Sequence, residues 1–182
     1  MNLIFMLEER SMQEVLKIIL PQILPSEISY KLIPHNGKSD LETSIPRKLQ
    51  AWNEPDTKFV IVRDQDSADC KEVKRNLQTL CSKSGRDVLI RIACKELEAW
   101  YFGDLKAVSA AYDKDVTGLS SKAKYRNPDN IENPKQELKK IFPKHQQIDG
   151  AKRIAVHMDI ERNTSVSFQY FISGIKRFIG EM

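Results

Sequence analysis

The stretch Lys58-Phe59-Val60-Ile61-Val62-Arg63-Asp64-Gln65-Asp66 decides the fold. Phe59 to Val62 is an unbroken apolar run with no alternation between a wet and a dry face. It reads as a strand covered on both sides, as in a parallel sheet enclosed by helices. Asn2 to Leu7 and Val88 to Ala93 are further apolar strands, and in Ile28 to Ile33 polar and apolar residues alternate. The segments between these strands have helical spacing. Ser11 followed by Glu14 is a capping-box pattern, with Met12, Val15, Leu16, Ile19 and Leu20 on one face and Pro21 and Pro25 expected to end the helix. A second helix is expected from Ser39 or Ser44, where Pro46 would be tolerable in a first turn, with Leu49 and Trp52 on its buried side. A third turns Cys70, Val73, Leu77, Leu80 and Cys81 inward and is expected to end at Gly85. A fourth, from about Glu96, carries Leu97, Trp100, Tyr101, Leu105 and Val108.

Strands alternating with connections of helical length imply an α/β fold: a four-stranded, mostly parallel sheet with right-handed crossovers, flanked by helices. Residues 1–112 form this core. Residues 113–182 read as an extension packed on it, so that the whole is one compact domain. Between Asp113 and Asn133 there is little to bury, which predicts a long surface excursion. Three helical segments follow, Pro134 to Phe142, about Gly150 to Glu161, and Ser165 to Ile179, and are expected to form a helical cap. Part of the last is open to serving as an interface, a homo-oligomeric one included.

Composition narrows the function classes. With 182 residues, 41% hydrophobic and 30% charged, the chain has the makeup of a folded globular domain rather than a disordered or fibrous one. Its apolar runs are too short to span a bilayer, and no secretory leader is evident, so a cytoplasmic protein is expected. Cys70, Cys81 and Cys94 are odd in number and form no CxxC pair, which argues against a disulfide framework or a zinc knuckle. The seven glycines form neither a GxGxxG nor a P-loop, so a standard nucleotide cradle is not expected.

Two sets of acids sit just beyond strand ends: Glu8 and Glu9 after the first, and Asp64 and Asp66 after the third. A parallel sheet brings both sets to one edge, where such folds build their sites. Alternation in an extended exit segment would turn Asp64 and Asp66 to the same side. Clustered carboxylates repel one another unless they protonate or share a cation, and hard oxygen ligands suit Mg²⁺ or Mn²⁺. The structural alternative is that Asp66 or Ser67 caps the next helix.

The runs Leu3-Ile4-Phe5-Met6-Leu7-Glu8-Glu9 and Val60-Ile61-Val62-Arg63-Asp64-Gln65-Asp66 together resemble the TOPRIM domain of topoisomerases, bacterial primases and OLD-type nucleases. That domain carries a Glu after its first strand and a DxD after its third. Over nearly its whole length, including Glu96-Leu97-Glu98-Ala99-Trp100-Tyr101-Phe102-Gly103-Asp104, the chain is similar to a bacterial TOPRIM-like family encoded beside SMC- or ABC-type ATPases in phage defence. The resemblance implies a Mg²⁺- or Mn²⁺-dependent nuclease acting on DNA or RNA, with an ATPase partner. Glu8, Asp64 and Asp66 would be catalytic and would hold the metal. Glu98 would be a further ligand, while Glu96 offsets the charge of a helix start. Glu9 stands where TOPRIM domains carry Gly, so either Glu8 or Glu9 is placed to face the metal. The alternatives are a non-catalytic regulatory subunit of an ATPase complex, and a phosphatase or nucleotide hydrolase using the same pocket.

The basic excess lies toward the C-terminal half. Of the net charge of +4, much comes from Lys122 to Arg153, which holds nine Lys and Arg against four Asp and Glu. Lys122, Lys124 and Arg126 with Tyr125 between them combine charge with an aromatic ring, the combination that single-stranded nucleic acid needs.

Overall fold

The computed structural model describes residues 1–180. Four strands, β1 (Asn2–Leu7), β2 (Ser29–Pro34), β3 (Thr57–Asp64) and β4 (Val88–Ala93), form one sheet in the order β2-β1-β3-β4, with every pair parallel. Eight helices accompany them among the described residues: α1 (Arg10–Ile23), α2 (Lys38–Ala51), α3 (Cys70–Cys81), α4 (Glu98–Phe102), α5 (Leu105–Tyr112), α6 (Pro134–Ile141), α7 (Gln147–Ala155) and α8 (Val166–Phe178). No described helix is long and apolar enough to cross a membrane.

Side-chain alternation along β1 and β3 divides the core into two layers. Leu3, Phe5, Leu7, Val60 and Val62 face a large cluster with α1, α4, α5, α7 and α8. Ile4, Met6, Phe59 and Ile61 face a smaller one with α2 and α3. The extension is part of the first layer: Ala151, Ile154, Phe168 and Phe171 are buried with Leu16, Ile19 and Trp100. Trp100, with no exposed surface, lies edge-on to Phe168 at 5.2 Å between ring centres and donates its indole N–H to Ser167 at 2.9 Å.

The strand order sets the place of chemistry. From β1 the chain turns out through α1 on one face of the sheet, whereas from β3 it turns through α3 on the other. The connections therefore part between β1 and β3, and the carboxyl ends of these two strands are the switch point at which such sheets place their sites.

Several local expectations change. Helix α1 begins at Arg10 with Glu9 at its cap position, so Ser11 lies inside the first turn, and the helix continues through Pro21 to Ile23. Ser11 donates its hydroxyl to Glu9 instead of capping. In α2 the start is Lys38, after Gly37 at φ 90°, which leaves Pro46 in the interior rather than the first turn. Asp69, not Asp66 or Ser67, caps α3 by accepting from the Lys71 and Glu72 amides. That helix ends at Cys81, and Gly85, at φ 65°, supplies the left-handed turn into β4. The expected fourth helix divides in two because Asp104 caps a new helix at Leu105.

The excursion from 113 to 133 is not empty. It forms three 3-10 turns, Thr117–Ser121, Ala123–Tyr125 and Pro128–Asn130, and buries Val116, Tyr125 and Ile131. Asp129 accepts from the Val166 and Ser167 amides and from the Ser165 and Ser167 hydroxyls, which ties the excursion to the start of α8.

Candidate functional site

The strand ends place Glu8 directly after β1 and Asp64 as the last residue of β3. Glu8 is 8% exposed, and its Oε2 accepts the Asp64 amide at 3.0 Å, so the side chain leans across from β1 toward β3. Arg63 Nε stands 3.8 Å from the same oxygen, while its Nη1 is committed to Glu42 at 2.6 Å. Glu98, the first residue of α4, is 1% exposed, and its Oε1 has no hydrogen-bond partner. Glu8, Glu9 and Asp64 line a small cavity with Leu97, of about 10 Å³, room for roughly one water-sized particle.

The electrostatics follow from the crowding. Burial pushes the Glu8 carboxyl up to about 7, only partly offset by the Asp64 amide, with the charge of Asp66 adding to the rise. Burial likewise pushes Glu98 up to about 7. Asp64 is raised well above the usual carboxylate range, first by burial and then by the charges of Glu98 and Glu8. At neutral pH the three cannot all be ionised without a counter-charge. The buried Tyr101 hydroxyl, also without a partner, is raised by burial and by the charges of Glu98 and Asp64.

The other expected site residues are differently placed. Asp66 has φ 57°, a left-handed turn that breaks the extended run, so alternation no longer relates it to Asp64. Its carboxylate is 3.8 Å from Lys38 and lines a separate open cleft with Lys95, Glu96 and Asn133. Glu9 accepts from Ser11 and from the Gln147 amide group, which joins α1 to α7. Glu96 accepts the Lys135 amide at 2.9 Å and so caps α6, not the helix it precedes.

Tyr125 does not offer a stacking face. Its ring is 9% exposed, packs on Phe102 at 5.6 Å, and its hydroxyl donates to Glu137 at 2.5 Å. Lys124 pairs with the same Glu137, also at 2.5 Å, whereas Lys122 and Arg126 are exposed. The Phe102-Gly103-Asp104 segment is scaffold. A Cβ on Gly103 would lie 2.1 Å from Asn163 Oδ1, and the fully buried Asp104 carboxylate takes both Nε and Nη2 of Arg162 at 2.8 Å.

Two residues at this edge carry no sequence signal. His35, just past β2, points its Nδ1 at the Leu7 carbonyl at 2.9 Å, leaving its buried Nε2 without a partner. Tyr101 reads as core from its spacing and is core, apart from its hydroxyl.

Among the described residues no three His, Cys, Asp or Glu side chains are gathered as a ready cage. Mg²⁺ does not require one, because it is commonly held by one or two carboxylates with water and phosphate completing the shell. A buried carboxylate oxygen without a partner beside two acids of raised proton affinity is a donor set that fits.

The fold and this edge define a doubly wound α/β domain with Glu8 and Asp64 side by side at the switch point of the sheet. The chain belongs to the family described as a domain of unknown function (DUF4276), whose model matches residues 7–176. No curated protein and no solved structure matches it.

Proposed function

We propose that the chain is a metal-dependent phosphodiesterase of nucleic acids, a nuclease of TOPRIM type, with its site in the crevice between β1 and β3. One observation carries this reading: Glu8 reaches across the strand ends to accept the Asp64 amide, and Glu98, whose charge acts on Asp64, keeps a buried carboxylate oxygen without a partner. Burying carboxylates in this way is costly unless a cation is shared. Asp64 and Glu98 would hold Mg²⁺ or Mn²⁺, with Glu8 beside them. The bound cation would supply a water of lowered pKa and neutralise charge on the scissile phosphate.

The residues themselves have separable tasks. Glu8 is oriented through Oε2 by the Asp64 amide, so its other oxygen is free to take a proton. A carboxyl near pH 7 in proton affinity suits a general base. Leu97 lines the small cavity beside Glu8 and Asp64. Lys95 lines the separate cleft that holds Asp66, and Lys38 stands 3.8 Å from the Asp66 carboxylate; both would meet phosphate there. A cytoplasmic setting is part of the reading, and the sequence resemblance adds an SMC- or ABC-type ATPase partner in phage defence.

The test is cleavage of a panel of DNA and RNA substrates with Mg²⁺ or Mn²⁺, with the ATPase of the same operon added in parallel. Wild type is expected to cut, and Asp64→Asn and Glu98→Gln to lose activity by a hundredfold or more. Absence of cleavage under every condition, or unchanged cleavage by both variants, overturns the reading.

A further inference from the structure

A cleft of about 620 Å³ lies away from the acids, along the edge of the sheet that β4 leaves unpaired. Its walls are β4, α3, α8 and the turn at Asn127 and Asn130. Three cations line it, Lys74 from α3, Arg91 from β4 and Arg177 from α8. Asp129 is the one acid among its described lining residues, and that carboxylate is occupied by four donors at the start of α8. The cleft is therefore a concentration of uncompensated positive charge.

Arg91 is held there by shape. Its guanidinium lies against Gly174, where a Cβ would come within 1.9 Å of Nη2 and 2.2 Å of Nε. Only the missing side chain of Gly174 gives the group its seat. The Nε is buried without a partner, and Nη1 reaches no more than the neighbouring Ile90 carbonyl at 3.1 Å. Burial and the nearby charge of Arg177 both lower the proton affinity of Arg91, as expected of a cation that lacks its anion. On the same side of α8, Tyr170 is 63% exposed, a large flat ring left in solvent beside these charges.

We propose that this cleft is a binding track for single-stranded nucleic acid, with backbone phosphate on Arg91, Lys74 and Arg177 and a base stacked on Tyr170. Cations that follow a backbone combined with an accessible aromatic face are the means by which proteins hold single strands. Asn127 and Asn130 offer amide groups to base edges at the far wall. Cys94 lines this cleft, and the next residue, Lys95, lines the open cleft that holds Asp66 and Glu96. The proposal deepens the nuclease reading and rests on it for the choice of ligand. It moves the nucleic-acid contact from Lys122, Lys124, Tyr125 and Arg126 to the β4 edge.

The experiment is fluorescence anisotropy with a labelled 12-nucleotide oligothymidylate in EDTA, where no cleavage can occur, so a failure of the catalytic reading and a failure of the track are read separately. The double variant Lys74→Ala/Arg177→Ala is expected to bind at least tenfold more weakly. Its dependence of log affinity on log salt should be shallower by about 1.4, two phosphate contacts on a single strand. Tyr170→Ala should lose fivefold or more. Gly174→Ala keeps every charge but takes the seat of Arg91, and should also lose severalfold while its circular dichroism and melting curve stay those of wild type. Thymidine monophosphate should compete only at far higher concentration than the oligomer. The track is overturned if these variants bind as wild type does, if Lys122→Ala/Lys124→Ala/Arg126→Ala loses as much affinity, or if polyglutamate of equal charge competes as well as the oligomer.

Discussion

Two buried acidic centres lie at opposite ends of α4, and they are satisfied to very different degrees. After its C-terminal end, Asp104 takes two hydrogen bonds from Arg162 and one each from the Ala107 and Asp159 amides. At its N-terminal end, Glu98 has an oxygen with no partner and shares its surroundings with Asp64. Both acids are almost completely buried. The first arrangement ties α5 and the segment before α8 together, and its charge is fully answered within the chain. The second leaves charge unanswered, which a scaffold has no reason to retain and a cation site does.

The largest effect should come from breaking the satisfied centre. Asp104→Ala leaves Arg162 and two amides without their acceptor, and a loss of about 3 kcal/mol in urea unfolding is expected. A loss below about 1 kcal/mol would mean that Asp104 is not the anchor the geometry describes. Next in size is the response of the unsatisfied centre to metal. At pH 8, Mg²⁺ at a hundredfold above its dissociation constant should raise the stability of wild type by about 2.7 kcal/mol. The gain should vanish in Asp64→Asn and in Glu98→Gln but persist in Lys122→Ala.

How far these two centres could be read from the chain differs. The four strands, their parallel sense and the approach of Glu8 to Asp64 follow from apolar runs with acids at their ends, because a parallel sheet fixes which ends meet. Glu98 came within reach only through the resemblance. What escaped is set by single backbone turns and long-range partners. The left-handed turn at Asp66 separates it from Asp64, and nothing in Asp64-Gln65-Asp66 announces it. Tyr125 looked exposed because its neighbours are charged, yet Phe102 and Glu137, both far along the chain, draw it inside. Glu96 caps a helix that starts almost forty residues later. The division of the fourth helix was more accessible, since Gly103-Asp104 is a stop followed by a cap.

Smaller effects sharpen the contrast. Glu98→Gln removes a buried charge, so in metal-free buffer at pH 8 it should be more stable than wild type by about 1 to 2 kcal/mol. The pH dependence gives the same comparison without a mutation. Glu8 and Glu98 are raised from 4.5 to about 7 in the folded chain, so the fold binds their protons more tightly than the unfolded state does. Their contribution is fully present below 4.5 and is lost as pH rises through about 7. Melting in EDTA should therefore fall between pH 5 and pH 8, and the fall should be shallower in Glu98→Gln. A flat profile would show that the acids are not crowded in solution. The smallest effect belongs to the surface: Lys124→Ala loses one half-exposed partner of Glu137 and should cost less than about 1 kcal/mol.

The most direct test of the unsatisfied centre as a cation site is anomalous scattering from a crystal of the wild-type protein soaked in Mn²⁺. The expected result is a manganese peak in the crevice between β1 and β3, bound by Asp64 and Glu98 with Glu8 alongside and absent from Glu98→Gln. A peak only elsewhere on the molecule, or none at millimolar Mn²⁺ in a crystal whose crevice is open to solvent, would contradict it.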